Sequence, residues 1–271
     1  MVRFHTTFPM THALAQASSE RRPRPQLVPA PPAVSVVVPV RDEAANVGPL
    51  VAEIGAALEG RECFEAVFVD DASTDDTLAE LRRLQEARPW LRVIAHGRGA
   101  GQSAAIASGV AAARGALIAT MDGDGQNDPA DIPPLLAAFR EGAFGMVIGE
   151  RRERHDTAIR RLSSRIANGV RRGILGDGTA DTGCGLKVFP RSLFLALPFF
   201  DHMHRFLPAL VSMSGHRVAA LPVGHRPRLR GRSKYGIGNR LWVGLIDLAG
   251  VVWLKRRRVR RGTVTEIERP S

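Results

Sequence analysis

Cysteine is nearly missing from this chain: Cys63 and Cys184 are its two in 271 residues. They make no CxxC pair, metal knuckle or dense disulfide framework, which excludes a disulfide-stapled scaffold and favours a reducing, cytoplasmic setting. Lysine is almost as scarce, at Lys187, Lys234 and Lys255 alone, yet the formal net charge is +11. Nearly all of the positive charge is therefore arginine, which binds phosphate through a planar fork of donors. A surface this basic draws anionic partners, whether nucleotide, nucleic acid or acidic lipid headgroups. No continuous apolar core precedes a cleavage site, so residues 1–33 do not read as a secretory signal. Their Arg21-Arg22-Pro23-Arg24-Pro25 and Pro29-Ala30-Pro31-Pro32 runs read as a disordered tail. Catalytic Ser-His-Asp or Cys-His sets are not evident either. The His96-Gly97-Arg98-Gly99-Ala100-Gly101-Gln102 loop follows the third apparent strand with the wrong spacing for a dinucleotide fingerprint. It suits instead a close approach of backbone to a nucleotide or sugar.

What the chain does have is alternation. Residues 35–40, 66–69, 91–95, 116–121 and 145–149 are short apolar runs, as expected of strands buried on both faces. Between them, residues 45–58, 75–87 and 102–113 carry helical spacing or helix-forming composition. Strand and helix in turn predict an α/β domain with a mainly parallel central sheet flanked by helices. Ligands of such sheets bind beyond the carboxyl ends of the strands. Asp42-Glu43, Asp70-Asp71, the 96–101 loop and Asp122-Gly123-Asp124-Gly125-Gln126 all fall there.

The last cluster is the most telling. Carboxylates at i and i+2 of an extended segment project to one side, so Asp122 and Asp124 can approach one hard cation. Gln126 adds a neutral oxygen on that side. Mg²⁺ or Mn²⁺ would accept such ligands and keep positions open for phosphate oxygens. The strand-end acids Asp42, Glu43, Asp70 and Asp71 can accept hydrogen bonds from ribose hydroxyls or base N–H groups. Helix capping and turn formation compete with that reading for Asp71, and Asp75 or Ser73 is the expected cap of the helix that follows.

Residues 237–254 are apolar but interrupted by Arg240 and Asp247, too short and too charged for a confident membrane span. Lys255-Arg256-Arg257-Arg258-Val259-Arg260-Arg261 follows at once. An apolar face with a basic collar fits a helix lying on an anionic membrane surface. The competing expectation is a C-terminal helix packed on the catalytic domain with a solvated basic tail.

Ser35-Val36-Val37-Val38-Pro39-Val40-Arg41-Asp42-Glu43, Val69-Asp70-Asp71-Ala72-Ser73-Thr74-Asp75-Asp76-Thr77 and residues 121–126 resemble, in order, the signatures of family-2 inverting glycosyltransferases. Gly149-Glu150-Arg151, Asp181-Thr182-Gly183-Cys184-Gly185-Leu186-Lys187, His204-Arg205-Phe206-Leu207-Pro208 and Arg228-Leu229-Arg230-Gly231-Arg232-Ser233-Lys234-Tyr235 extend the likeness to the polyprenyl-phosphate, dolichol-phosphate mannosyltransferase-like branch. The resemblance implies the GT-A nucleotide-diphospho-sugar transferase fold over residues 34–236. Residues 237–261 would be an amphipathic, basic membrane-surface helix and 262–271 a flexible tail. It implies transfer of a hexose from a UDP- or GDP-linked donor to a polyprenyl (undecaprenyl or dolichyl) phosphate, with inversion, peripherally on the cytoplasmic face of the membrane. Pro39, Arg41, Glu43, Asp70, Asp71, Gly101 and Asp122 would surround the nucleotide, and Asp122, Asp124 and Gln126 would hold Mg²⁺ or Mn²⁺. Asp124, Arg151, Arg228 and Lys234 would carry catalysis; Arg165, Arg205, Arg228, Ser233 and Lys234 would meet the acceptor phosphate. Nucleic acid is not an expected partner; a membrane partner protein is a possible one. Arg232 replaces a commonly acidic residue, and the pair of long transmembrane helices of many bacterial relatives is not seen. The alternatives are a hydroxyl acceptor, which would need a general base, and a non-catalytic basic binding protein.

Overall fold

The computed structural model describes residues 31–151, 181–227 and 237–257. Seven strands form one sheet in the order β3-β2-β1-β4-β6-β5-β7. They are β1 (Val34–Val40), β2 (Phe64–Asp70), β3 (Leu91–Ala95), β4 (Leu117–Thr120), β5 (Met146–Arg151), β6 (Lys187–Pro190) and β7 (Val218–Val223). The helices are α1 (Ala44–Leu58), α2 (Thr77–Glu86), α3 (Gln102–Ala112), α4 (Ile132–Glu141), α5 (Arg191–Leu195), α6 (Leu207–Met213) and α7 (Ile237–Arg257).

The central strands read as unbroken apolar runs because both of their faces are covered. Val36, Val38 and Phe68 pack with Leu50, Ile54, Leu81 and Leu135 on the α1, α2 and α4 side. Val37, Val67 and Val69 pack with Ile106, Val110, Phe189 and Leu210 on the opposite side. Side chains of successive strand residues point to opposite faces, so one valine-rich run serves two cores. Each large apolar side chain fully buried there contributes about 1.5–3 kcal/mol.

The pairing is parallel except at β6, which runs antiparallel to β4 and β5. That reversal was not foreseen from the sequence, and it matters. It makes the start of β6 meet the carboxyl ends of β1, β2, β4 and β5 at one sheet edge. Thr120, the last residue of β4, is the register partner of Lys187, the first of β6. Pro39 is tolerated inside β1 for a local reason. The Val37 carbonyl faces β4 and accepts from Met121 N–H, so by alternation Pro39 faces β4 two residues later. The last β1–β4 pair is Val37 with Thr120, so no ladder bond needs the missing N–H.

β1 and β2 leave the sheet in the same way. Val40 pairs with Asp70, and two residues beyond each the backbone is left-handed, at Asp42 (φ 52°) and Ala72 (φ 56°). The two turns are then sewn together. Asp42 N–H donates to Ser73 Oγ (2.9 Å), Glu43 N–H to Thr77 Oγ1 (2.8 Å), and Thr74 N–H to Asp42 Oδ1 (2.6 Å). Aspartate tolerates a left-handed backbone, whereas alanine is held there at a cost of roughly 1–2 kcal/mol. Ala72→Gly should therefore raise the unfolding free energy by about 0.5–1 kcal/mol, after the added entropy of an unfolded glycine is discounted. Urea unfolding with an unchanged slope checks this.

Candidate active site

The predicted strand-end clusters do converge, and the structure shows what each carboxylate holds. Asp70, buried at the end of β2, accepts from the amide and hydroxyl of Ser73. The N-cap of α2 is Asp76, neither Asp75 nor Ser73, and its side chain makes no cap bond; Asp75 accepts from the Thr77 amide beside it (3.0 Å). Glu43 accepts from Asn46 Nδ2 at 2.5 Å at the head of α1. Asp71 neither caps a helix nor closes its own turn. Its carboxylate reaches across to the 96–101 loop, accepting from Ala100 N–H (2.7 Å) and Gly101 N–H (2.8 Å) and standing 2.8 Å from His96 Nδ1. The Arg41 guanidinium lies 3.9 Å away, about half exposed. Burial alone would raise the Asp71 carboxyl; the two amides and the imidazole outweigh it and hold the group below the ordinary carboxylate range. Gly101 adopts φ 89°, a left-handed backbone that admits the turn into α3.

The 122–126 loop sits at the centre of the edge. Asp122 N–H donates to Asn127 Oδ1 (3.3 Å), and Asp122 Oδ1 accepts from Gln102 Nε2 (2.8 Å) at the head of α3. At Gly185 a Cβ would fall on the Asp122 carboxylate, so glycine is what lets the approach to β6 pass so close. Although Asp122 keeps part of its surface open, protein encloses most of it. Burial, then the neighbouring Asp124 charge, push its carboxyl up, against the opposing pull of Lys187 and Arg151. Lys187 is itself buried and donates to the Cys184 carbonyl. Burial lowers its ammonium, while the negative charges of Asp122 and Asp181 favour it. Burial also pushes the Cys184 thiol up, which leaves it a protonated packing group.

Arg151 reaches this edge from the end of β5, but a partner already engages it. Its Nε and Nη2 donate to the two oxygens of Asp181 at 2.6 and 2.8 Å. Gln126 is pinned from the other side: its carbonyl accepts from Arg226 N–H (2.9 Å), and its Nε2 donates to the Arg226 carbonyl (3.4 Å). The Arg226 guanidinium in turn meets Glu53 (2.8 Å) and Asp128 (2.6 Å). The Gln126 amide nitrogen is thereby committed, and its Oε1 is the end left for a cation. Two mutually repelling carboxylates and one amide oxygen fit a hard divalent ion. Among the described residues no three His, Cys, Asp or Glu side chains form a metal-holding group; phosphate oxygens and water are the usual further ligands of such an ion.

Residues 35–197 match the family model of glycosyl transferase family 2. The chain belongs to this family. It is 38% identical over 234 residues to the dodecaprenyl-phosphate galacturonate synthase of Rhizobium johnstonii, covering 84% of this chain and 69% of that protein. It is 36% identical over 208 residues to the undecaprenyl-phosphate 4-deoxy-4-formamido-L-arabinose transferase of Edwardsiella ictaluri, covering 75% of this chain and 63% of that one. The chain thus spans less than two thirds of the latter relative's length. Its fold is similar to the glucosyl-3-phosphoglycerate synthase of Mycobacterium tuberculosis in complex with UDP, with a TM-score of 0.63 at 20% identity over 83% of this chain and 80% of that one. The same synthase in complex with Mn²⁺, UDP and glucosyl-3-phosphoglycerate gives a TM-score of 0.62 at 19% identity over the same shares. The α/β, GT-A reading of this glycosyltransferase is confirmed.

Of the expected site residues, Pro39, Arg41, Glu43, Asp70, Asp71, Gly101, Asp122, Asp124, Gln126 and Arg151 stand at the one edge. Arg205 is in a 3-10 turn, Met203–Arg205, beside the head of α3. Arg165, Arg228, Ser233 and Lys234 lie outside the described residues. Sequence reasoning missed the supports Gln102, Asn127, Asp181, Lys187 and Arg226. Gln102, a polar residue opening a helix at the site, and Asp181 and Lys187, at the two ends of a quoted signature, carried local signals; Asn127 and Arg226 carried none.

A carboxyl held down in the folded state stabilises above its unfolded pKa and loses that contribution as pH falls through the lower, folded value. For Asp71 the loss begins near its ordinary value of 3.8 and runs downward. Asp71→Asn should cost about 1–3 kcal/mol at neutral pH and remove that acid-side step. Hydrogen exchange at the Ala100 and Gly101 amides should accelerate at the same time. Urea unfolding across pH and exchange at these two amides measure both effects.

Proposed function

We propose that this glycosyltransferase moves a hexose from a nucleotide-diphosphate sugar to a polyprenyl phosphate, working peripherally at the cytoplasmic face of the membrane. The observation that carries the donor half is the Asp122–Asp124–Gln126 set at the end of β4, flanked by Asp71 and the glycine-rich loop. The relatives named for transfer to dodecaprenyl and undecaprenyl phosphate support the acceptor half.

Asp122, Asp124 and Gln126 would hold Mg²⁺ or Mn²⁺, which when bound supplies charge stabilisation for the departing diphosphate. The rest falls to the chain's own groups. Asp71 shapes the 96–101 loop for the nucleoside, and Gln102 aims Asp122. Lys187 and Arg151, the latter held by Asp181, set positive charge behind the carboxylates without repositioning during reaction, the kind of preorganised field that favours developing negative charge. A phosphate monoester, with a second pKa of about 6, is already largely ionised near neutrality, so attack on the anomeric carbon needs no strong base.

The membrane half rests on α7. Val251 is buried, Leu248 and Val252 pack against the same core, and Ile246 and Trp253 stand 69% and 60% exposed. Lys255, Arg256 and Arg257 follow, all exposed. No helix among the described residues is long and apolar enough to cross a membrane. Packing of Leu248, Val251 and Val252 against the core and exposure of Ile246 and Trp253 support a helix that docks one face on the catalytic domain and offers another to lipid.

Purified protein with Mn²⁺ or Mg²⁺, a panel of UDP- and GDP-sugars and a short polyprenyl phosphate should release nucleoside diphosphate. Asp124→Ala should lower turnover at least ~100-fold, the scale of losing a charge-stabilising group. No release with any donor in the panel would sink the enzymatic reading. Separately, Ile246→Ser with Trp253→Ser should weaken partition onto phosphatidylglycerol-containing vesicles by about tenfold or more, given the apolar area removed. Unchanged co-sedimentation would discard α7 as the membrane face.

A further inference from the structure

Ser103 is buried in the first turn of α3, and among the described residues its hydroxyl bonds to one residue only, His204, through two atoms. The His204 backbone N–H donates to Ser103 Oγ at 3.4 Å, and Oγ lies 2.7 Å from His204 Nδ1. A buried hydroxyl that receives one hydrogen must still place its own, and Nδ1 is the acceptor it meets. Nδ1 therefore presents its lone pair to Ser103, and the ring hydrogen resides on Nε2.

We propose that His204, bonded to the residue that follows the Asp122 partner Gln102, is a neutral hydrogen-bond donor that offers Nε2–H to an anionic oxygen of the acceptor. This rests on the lipid-phosphate reading and deepens it. A neutral His204 with its hydrogen on Nε2 takes no proton from the acceptor, so it suits one that arrives ionised, as a phosphate does and a hydroxyl does not. The step balances without a proton: the phosphate oxygen bonds to the anomeric carbon, the bond to the nucleoside diphosphate breaks, and its electron pair leaves with the diphosphate.

The surroundings agree. Burial comes first, then the positive Lys187 from β6 and Arg205 and His202 on its own segment; together they push the imidazole down to about 3. From α3 the ring meets Ser103, and α6, which follows the turn, carries no titratable side chain. Asp201, three residues earlier and 74% exposed, is a carboxylate on the same segment, and its Oδ1 accepts from the His202 amide.

Long-range ¹⁵N–¹H NMR of the histidine rings in the full chain reads tautomer and titration directly. His204 should show hydrogen on Nε2 and no titration between about pH 5 and 8, as a ring with so low a pKa requires; an Nδ1–H tautomer, or a midpoint near its ordinary 6.5, overturns the proposal. In turnover with a short polyprenyl phosphate, His204→Gln keeps an N–H donor and His204→Phe does not. The phenylalanine variant should lose roughly tenfold more kcat/KM, the scale of one hydrogen bond; equal losses remove the donor role. Asp201→Asn should leave kcat within a few-fold, and a loss of about 100-fold or more would mark a general base and overturn the claim that the acceptor arrives ionised. Failure of every nucleotide sugar to turn over would defeat the lipid-phosphate reading instead, with the ring NMR still deciding the tautomer.

Discussion

Asp122 and Asp124 repel each other at the end of β4, and much of the polar structure around them answers that repulsion. Burial and the Asp124 charge both disfavour an ionised Asp122, while Lys187 and Arg151 favour it. Neither cation is itself cheap to bury. Lys187 is stabilised by the negative charges of Asp122 and Asp181, and Arg151 by a two-point bond to Asp181. Removing one member would strand the others, because an unmatched buried charge costs several kcal/mol while a complete set roughly offsets its own desolvation. The positive members lie behind the carboxylates, towards β5 and β6. The front is left to a cation and the diphosphate it would neutralise.

A site of this kind also needs loops that do not wander. The turns after β1 and β2 are joined by reciprocal side-chain-to-backbone bonds between residues 42–44 and 73–77. Asp71 ties the 96–101 loop to the end of β2, and Arg226 ties the Gln126 loop to α1 through Glu53. Each tie uses up a charged or hydroxyl group that could have met substrate. The cost is accepted because ordering a loop in advance removes entropy that binding would otherwise lose. Ala72 in a left-handed backbone shows the same preference: local strain is retained where it keeps two strand ends in register.

How far the sequence disclosed this depended on whether a feature was local. β1 and β2 were legible because burial on both faces leaves an uninterrupted valine-rich run, and the 122–126 cluster because it follows such a run directly. β6 is only Lys187–Pro190, opening on a lysine and closing on a proline, and has no strand pattern to read. β7 carries Pro222 and alternates in exposure, as an edge strand can. The head of α4 did hold a usable sign, two prolines in its first turn. The supports of the site were illegible for another reason. Asp181 meets Arg151 across 30 residues, Arg226 meets Gln126 across 100 and Glu53 across 173. No short window contains both partners, so nothing in the spacing could distinguish these arginines from those expected on phosphate.

That distinction bears on where a second phosphate could sit. An arginine already bonded at two points to a carboxylate contributes a field, but few of its donors remain for a ligand. Arg151 with Asp181 is of this kind, and Arg226 is occupied in another way, by one contact each to Glu53 and Asp128. The described cations nearest the carboxylates are therefore committed to holding the donor side together. Under the proposed lipid-phosphate reading, the acceptor phosphate is left to other cations: Arg205 beside the head of α3, and Arg165 and Arg228, which the family resemblance implies and which lie outside the described residues. The arginine excess thus divides into two physical tasks. One part compensates buried carboxylates at a fixed site, and in the proposed reaction the other lets two phosphate-bearing substrates approach each other closely enough to react.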